Sequence, residues 1–555
     1  MIFGMMEPST FEKWSGLALF KRVHHLVGGR FMAYMFVMYF CLKGMLAGSG
    51  DGILQSGITP YFRYVFQASG NTRNIGSVVS YLPFHIKPLI GAISDILPLF
   101  GYHKRYYIVI CAFLGTATYL VLALAPVDNA SADIAVSFSF VFFLGILECA
   151  VTEVLCEGTY SRIMQEHPYS GGDIPTFACL MMTLGGLLAS QLVGYISSPE
   201  YLGPKYIFLI GIPFALSIIP PSLLGWLPEA KVSMENGVCN MSQIRFARRH
   251  WRLVTFGLII SLTAVVHTLL AAFVKSNTVL FIETLTVIVI NTCCSFYFLE
   301  KQVAMIVTYT ILSKVLLMVA STNGQYEAFY IGKEVCLPGD SGPHFQLSFW
   351  IGNTSLVTNI MYVIATYAFG MFTRTWKIRS ALAVTTVLIM VACIFDIIII
   401  MRWNVGVISD KVLYMIGEPV VTKVVTQLNW MIMFVLWSKV CPKGVESTMF
   451  GLIASCSNSA LGMILANVIA TWMGLKTACQ PKTASGCDCN LGGGNPTFAL
   501  FIVICHILMP SLLFPLMYWL IPDVRMCETL ELRSDPGNKT TVDKETGFSD
   551  CSTVP

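Results

Sequence analysis

Charge is what this sequence has least of. Of its 555 residues only 12% are Asp, Glu, Lys or Arg, while 55% are hydrophobic. A soluble domain is about a quarter charged, and a body of this size could not coat itself with so little polar surface. Lipid is the solvent that such a composition demands. A nucleotide-binding GxxxxGK[ST] loop is also missing, and the polar segments are too short to hold an ATPase module, which excludes a primary pump. There is no CxxC pair and no His/Cys group at zinc spacing, so neither metal nor cofactor is expected. The nine histidines are scattered, which argues against an intramembrane enzyme, and a net charge of +4 spread over loops gives nucleic acid no basic face. A cleavable leader is not expected either, because Lys13, Lys21, Arg22 and the His24-His25 pair interrupt the N-terminal stretch.

Long apolar runs are abundant. A helix needs about 20 mainly apolar residues to cross a bilayer. Such runs fall near 30–54, 74–98, 105–126, 134–156, 174–197, 204–227, 253–274, 277–299, 302–321, 347–372, 379–401, 411–438, 445–473 and 496–521. The expectation is an all-α integral membrane protein of about 14 spans, with 12–14 compatible with the pattern.

Basic residues orient the chain. With the N-terminus in the cytoplasm, most of the 35 Lys and Arg fall inside, and an even span count places both termini there. The sequon at Asn129 then lies on an outer loop, open to glycosylation. Cys336, Cys479, Cys487 and Cys489 also fall outside, where either disulfides or free thiols are compatible with the sequence.

The chain reads as two six-helix halves. A cytoplasmic tail (1–29) precedes the first half (30–227), and a basic linker (228–252) ends RFARRHWR. An inserted helix pair (253–299) leads to the second half (302–521) and a second cytoplasmic tail (522–555). Small residues recur at i, i+4, i+8 in the fifth span (Gly186, Ser190, Gly194) and in its positional counterpart (Gly462, Ala466, Ala470). Such stripes let membrane helices approach closely. Repeats of this kind are common in secondary transporters.

At 87–107 the chain reads KPLIGAISDILPLFGYHKRYY. This resembles the G-x-x-x-D…G-[RK]-[RK] signature of the major facilitator superfamily. Its Lys-Pro opening and Pro-Leu-Phe-Gly-Tyr spacer look like the folate-biopterin transporter family (biopterin transporter type). GVISDKVLYMIGEP at 406–419 and LWSKVCPKGVESTMFGL at 436–452 extend the likeness. The resemblance implies a major facilitator fold and transport of folates or pterins, often with protons. A carrier of another amphipathic metabolite such as S-adenosylmethionine, or a non-transporting receptor of the same fold, is the alternative. The plasma membrane is the expected location.

Charges inside spans cost about 2.5–3.5 kcal/mol each on insertion scales, so those that persist head the functional candidates. Lys43, Lys87, Lys314 and Lys423 are point cations suited to a folate's glutamate tail. Glu148, Glu153 and Glu418 could accept the paired N–H donors of a pterin ring. Against these roles stands mutual neutralisation within the protein. Asp396, alone in ACIFDIIII, and Glu153 are the candidates for the coupled proton. The resemblance implies a cytoplasmic gate at Asp95, with Lys104, Arg105, Arg162 and Glu446 as its companions. A purely topological role for Asp95 and simple helix capping by Glu446 compete with it.

Overall fold

The computed structural model describes residues 16–47, 52–126, 132–166, 173–197, 201–229, 250–318, 323–372, 376–440, 446–457, 461–479 and 486–526, together with Lys231 and Arg248. Two compact units emerge. The first is residues 1–268 with Phe345–Asn359 and Glu446–Gly451; the second is 269–344, 360–445 and 452–555. Trp251–Phe273 belongs largely to the first unit, and Asn277–Phe298 to the second.

Every expected span contains helix. Among the described residues ten helices are both long and apolar enough to cross a membrane, so these criteria do not establish the count of fourteen. Of the remaining four expected spans, the second and the sixth are broken. The second divides at Ile86 into Gly70–His85 and Lys87–Ile96, because Pro88 has no N–H to donate into the preceding turn. The sixth divides into Ile207–Leu216 and Ile219–Leu223 around its own prolines. Large apolar side chains cover the outside: Phe113 and Leu124 are 59% and 71% exposed, Leu262 64% and Val289 59%. Surfaces like these are matched to lipid and not to water.

In the first unit, Ala132–Glu166 packs against Gly70–His85, Arg105–Leu124 and the first span. Asp173–Ile196 crosses the first span at a glycine contact. A Cβ added to Gly44 would lie 2.7 Å from both Gly185 Cα and Met182 O, so no side chain fits there. In the second unit, Ile378–Ile400 is central and packs on Lys423–Val440, Pro496–Val503 and Leu513–Leu520. Asn277–Phe298 lies against Lys301–Met318 and Leu461–Trp472.

Several helices widen into π turns. Val37–Ala47, Ile416–Thr422 and Ile504–Leu508 carry Lys43, Glu418 and His506 respectively. Pro419 lies within the second of these and Pro510 just beyond the third, where a missing N–H favours the wider register. Such bulges re-aim side chains and are frequent at functional sites.

One end of the second unit is stapled. Thr477–Ala478 and Asp488–Cys489 form a two-stranded hairpin, and disulfides join Cys479 to Cys489 and Cys336 to Cys487. Lys333 N donates to Cys479 O at 3.0 Å, and Gly493 N to Ser341 O at 2.7 Å. This cap follows directly on Asn323–Tyr330, a helix that the sequence pattern places in a loop.

Candidate functional site

The first unit gathers four charges. Glu153 and Glu157 stand one turn apart on Ala132–Glu166 and so share a helix face. Lys87, at the break in the second span, approaches Glu153 at 2.9 Å and Glu157 at 3.5 Å. Lys43 pairs with Glu153 from the other side. Both ammonium groups lie over the Phe84 ring, at 5.5 Å for Lys87 and 5.9 Å for Lys43. The side chains of Lys87 and Glu153 are only 3% exposed. Two cations meet two anions, and the cluster closes on itself.

Glu148 does not join it. Five residues before Glu153, it projects about 140° away around the helix. A Cβ built on Gly115 would overlap its carboxyl group, so this glycine makes the room that Glu148 occupies. Both carboxyl oxygens, and the nearby Tyr119 hydroxyl, are buried without a hydrogen-bond partner.

At the end of this unit that carries Lys104, Lys104 Nζ donates to Thr159 Oγ1 at 2.6 Å, and Asp95 is half-buried. Glu229 accepts the backbone N–H groups of Lys104 (2.7 Å) and Arg105 (3.3 Å), closing the helix start with a carboxylate. The Arg105 guanidinium stacks 4.3 Å from the Tyr102 ring centroid. Asn129 and the side chains of Arg162 and Glu446 lie outside the described residues.

The second unit is arranged differently. Asp396 accepts hydrogen bonds from Tyr330 at 3.0 Å and Tyr326 at 3.1 Å. The Tyr326 hydroxyl also lies 3.2 Å from His506 Nε2. Because Tyr326 donates to Asp396, it can accept from a protonated Nε2, which makes a continuous line from imidazole to carboxyl. Tyr414 packs on Tyr330 with ring centroids 4.8 Å apart, and Cys393 lies one turn from Asp396 on its own helix. Glu327 is buried on the helix that supplies both phenols. Glu418 is paired with Lys423 at 2.5 Å. Asp396 is 5% exposed, and among the described residues no lysine or arginine lies within ion-pair distance of it. Lys314, on Lys301–Met318, likewise has no carboxylate within that distance.

Sequence spacing reached Lys43, Lys87, Glu153, Glu418, Lys423 and Asp396. Glu157 was missed, although its i+4 spacing from Glu153 in TEVLCEG was a readable signal. Tyr326, Tyr330 and His506 carried none. The phenols sit in the polar stretch STNGQYEAFY, which reads as a loop, and the histidine is far away in sequence. Outside the membrane spans, Lys377 lies 2.9 Å from Asp523, and this hydrogen bond holds the carboxyl below the usual carboxylate range.

A model of the BT1 family matches residues 47–540. "Probable folate-biopterin transporter 5" of Arabidopsis thaliana is 22% identical, covering 72% of this chain and 66% of its own. "Folate-biopterin transporter" of Synechocystis sp. is 21% identical, covering 71% and 66%. "Folate transporter 1" of Plasmodium falciparum is 22% identical, covering 68% and 61%. The chain thus spans 61–66% of the length of these relatives. Among solved structures, a POT family transporter in complex with 5-aminolevulinic acid aligns with a TM-score of 0.60 at 11% identity, over 88% of this chain and 96% of its own. The nucleoside transporter NupG aligns with a TM-score of 0.53 at 14% identity, over 89% and 99%. The fold is that of the major facilitator transporters.

Proposed function

Because the chain belongs to the BT1 family, we propose that it carries folate- or pterin-class substrates across a membrane by alternating access, coupled to protons. The names of its relatives supply the substrate class. One observation supports the coupling most strongly. Asp396 is a buried carboxyl held by two phenols, without a cation, and joined through Tyr326 to His506. A carboxyl with no counter-ion is the acid that a proton can neutralise in place. Glu153 is less suited, since two lysines already hold it.

In this reading the Lys43–Lys87–Glu153–Glu157 cluster is a structural tie whose pairs exchange as the first unit changes state. Glu148 and Glu418 remain candidates for contact with the pterin ring, and Lys423 for the carboxylate tail. Asp95 serves the cytoplasmic gate, with Lys104 leaving Thr159 when the gate closes. The proposed location is the plasma membrane, with both termini cytoplasmic and Asn129 glycosylated on the outer side.

The test is uptake of radiolabelled folate by cells lacking their own carrier, at several external pH values, competed by biopterin and by S-adenosylmethionine. Saturable uptake that biopterin blocks, rises with external acidity and collapses with a protonophore is the expected result. Uptake blocked by S-adenosylmethionine alone would replace the substrate class. Indifference to pH and protonophore would remove the coupling.

A further inference from the structure

Four lysines lie within membrane spans, and three are neutralised by the protein itself. Lys43 and Lys87 meet Glu153 and Glu157, and Lys423 meets Glu418. Lys314 is different. Among the described residues no carboxylate lies within ion-pair distance of it.

Its surroundings exclude the ordinary remedies. Val307, Tyr309, Ile311, Ser313 and Val315 on the same helix are at most 4% exposed, so protein surrounds the helix on nearly every side. The side chain lies 13 residues from Lys301, about 20 Å at 1.5 Å per residue, which is too far for a lysine to snorkel to that end. In the other direction the chain continues to the helix Asn323–Tyr330 before it reaches the stapled cap. Lys314 itself is half-buried, less covered than its neighbours Ser313 and Val315.

Aromatic rings are tied to the same helix. Thr310, one turn earlier on the same helix face, accepts the indole N–H of Trp437 at 3.0 Å. Trp437 continues a run of rings on Lys423–Val440, with Phe434 at 6.5 Å and Trp430 a further 5.2 Å along. A cation on a helix that is joined to aromatic side chains supplies the two group types that recognise a planar ring bearing a carboxylate.

Resting on the pteridine reading above, we infer that Lys314 is the anion subsite of the second unit, which takes the carboxylate tail of a pteridine and separates tailed substrates from tail-less ones. Biopterin has the ring without the tail; folate has both. Lys314→Gln should therefore lower the ratio of folate to biopterin uptake by about tenfold or more, the effect of losing one charge-assisted hydrogen bond. Lys314→Arg should restore most of that ratio.

The experiment pairs two readouts on the full-length protein. In cells, radiolabelled folate and biopterin uptake are measured for the wild type, Lys314→Gln and Lys314→Arg at matched surface abundance. With purified protein, thermal stabilisation by the tail fragment alone, 4-aminobenzoyl-glutamate, is measured for the same three. The fragment should stabilise the wild type and the arginine variant and have little effect on the glutamine variant. An unchanged folate-to-biopterin ratio in Lys314→Gln, or equal stabilisation of all three proteins by the fragment, would overturn the assignment. A wild type that moves neither pteridine would overturn the transport reading instead, and the fragment measurement would still decide on Lys314.

Discussion

In the first unit, Lys43 and Lys87 face Glu153 and Glu157 in direct ion pairs, and the four charges cancel. In the second, Asp396 and Lys314 have no ion of opposite sign within reach among the described residues. The difference separates holding from loading. A closed cluster needs nothing from outside to be stable in lipid. On the reading proposed above, a proton would neutralise the open acid and a substrate carboxylate the open base, which would give a physical basis for moving the two together.

The comparison breaks most readily on the closed side. Lys87→Gln leaves Glu153 and Glu157 with Lys43 alone, and unpairing one member of a buried group costs about 3–5 kcal/mol. Thermal unfolding of the purified protein should show a large loss, partly recovered in the double variant Lys87→Gln/Glu153→Gln. If Lys87→Gln unfolds like the wild type, the cluster is not a structural tie.

The open side should respond in function more than in stability. Asp396→Asn keeps one acceptor oxygen where the carboxyl gave Tyr326 and Tyr330 one each, and the other phenol oxygen can accept from the new amide N–H, so unfolding should move by no more than about 1 kcal/mol. Acid-stimulated uptake should nevertheless be lost. A variant that still responds to external pH would return the proton role to another acid.

A smaller effect is expected at Gly115. Placing a methyl group where the Glu148 carboxyl sits forces a shift, and Gly115→Ala should cost about 1–3 kcal/mol in unfolding. Full stability would mean that Glu148 has room to leave.

The smallest effect belongs to the exposed Lys377–Asp523 pair. Since Asp523 is held below its ordinary range, its contribution is present above the unfolded carboxylate value and is lost as pH falls through the folded one. Asp523→Asn should remove that contribution where it exists, at neutral pH, and flatten the loss of stability on the acid side; because the pair is exposed, the melting temperature at neutral pH should fall only slightly. A large neutral-pH loss would show that the pair does more than tie two exposed ends.

Much of this was legible in the sequence for one reason. In lipid, apolar length and rare charge are strong signals, so the spans and most of the charged residues in them could be read directly. What could not be read was which charges meet. The Lys87–Glu153 contact depends on a helix break at Ile86 that aims the lysine at another span. Lys43, Glu418 and His506 all sit in π turns, which rotate side chains away from ideal helical spacing. Tyr326 and Tyr330 were hidden because their polar segment is helical next to a cap in which the Cys336–Cys487 disulfide joins residues 151 positions apart. The Lys104–Thr159 contact could not be read because it joins residues 55 positions apart.

The most direct measurement is proton movement during folate uptake by purified protein in liposomes, with a pH-sensitive dye in the lumen and no imposed gradient. The account predicts luminal acidification that follows folate entry in the wild type and is absent in Asp396→Asn. Folate entry without any proton movement, or acidification that survives in Asp396→Asn, would contradict it.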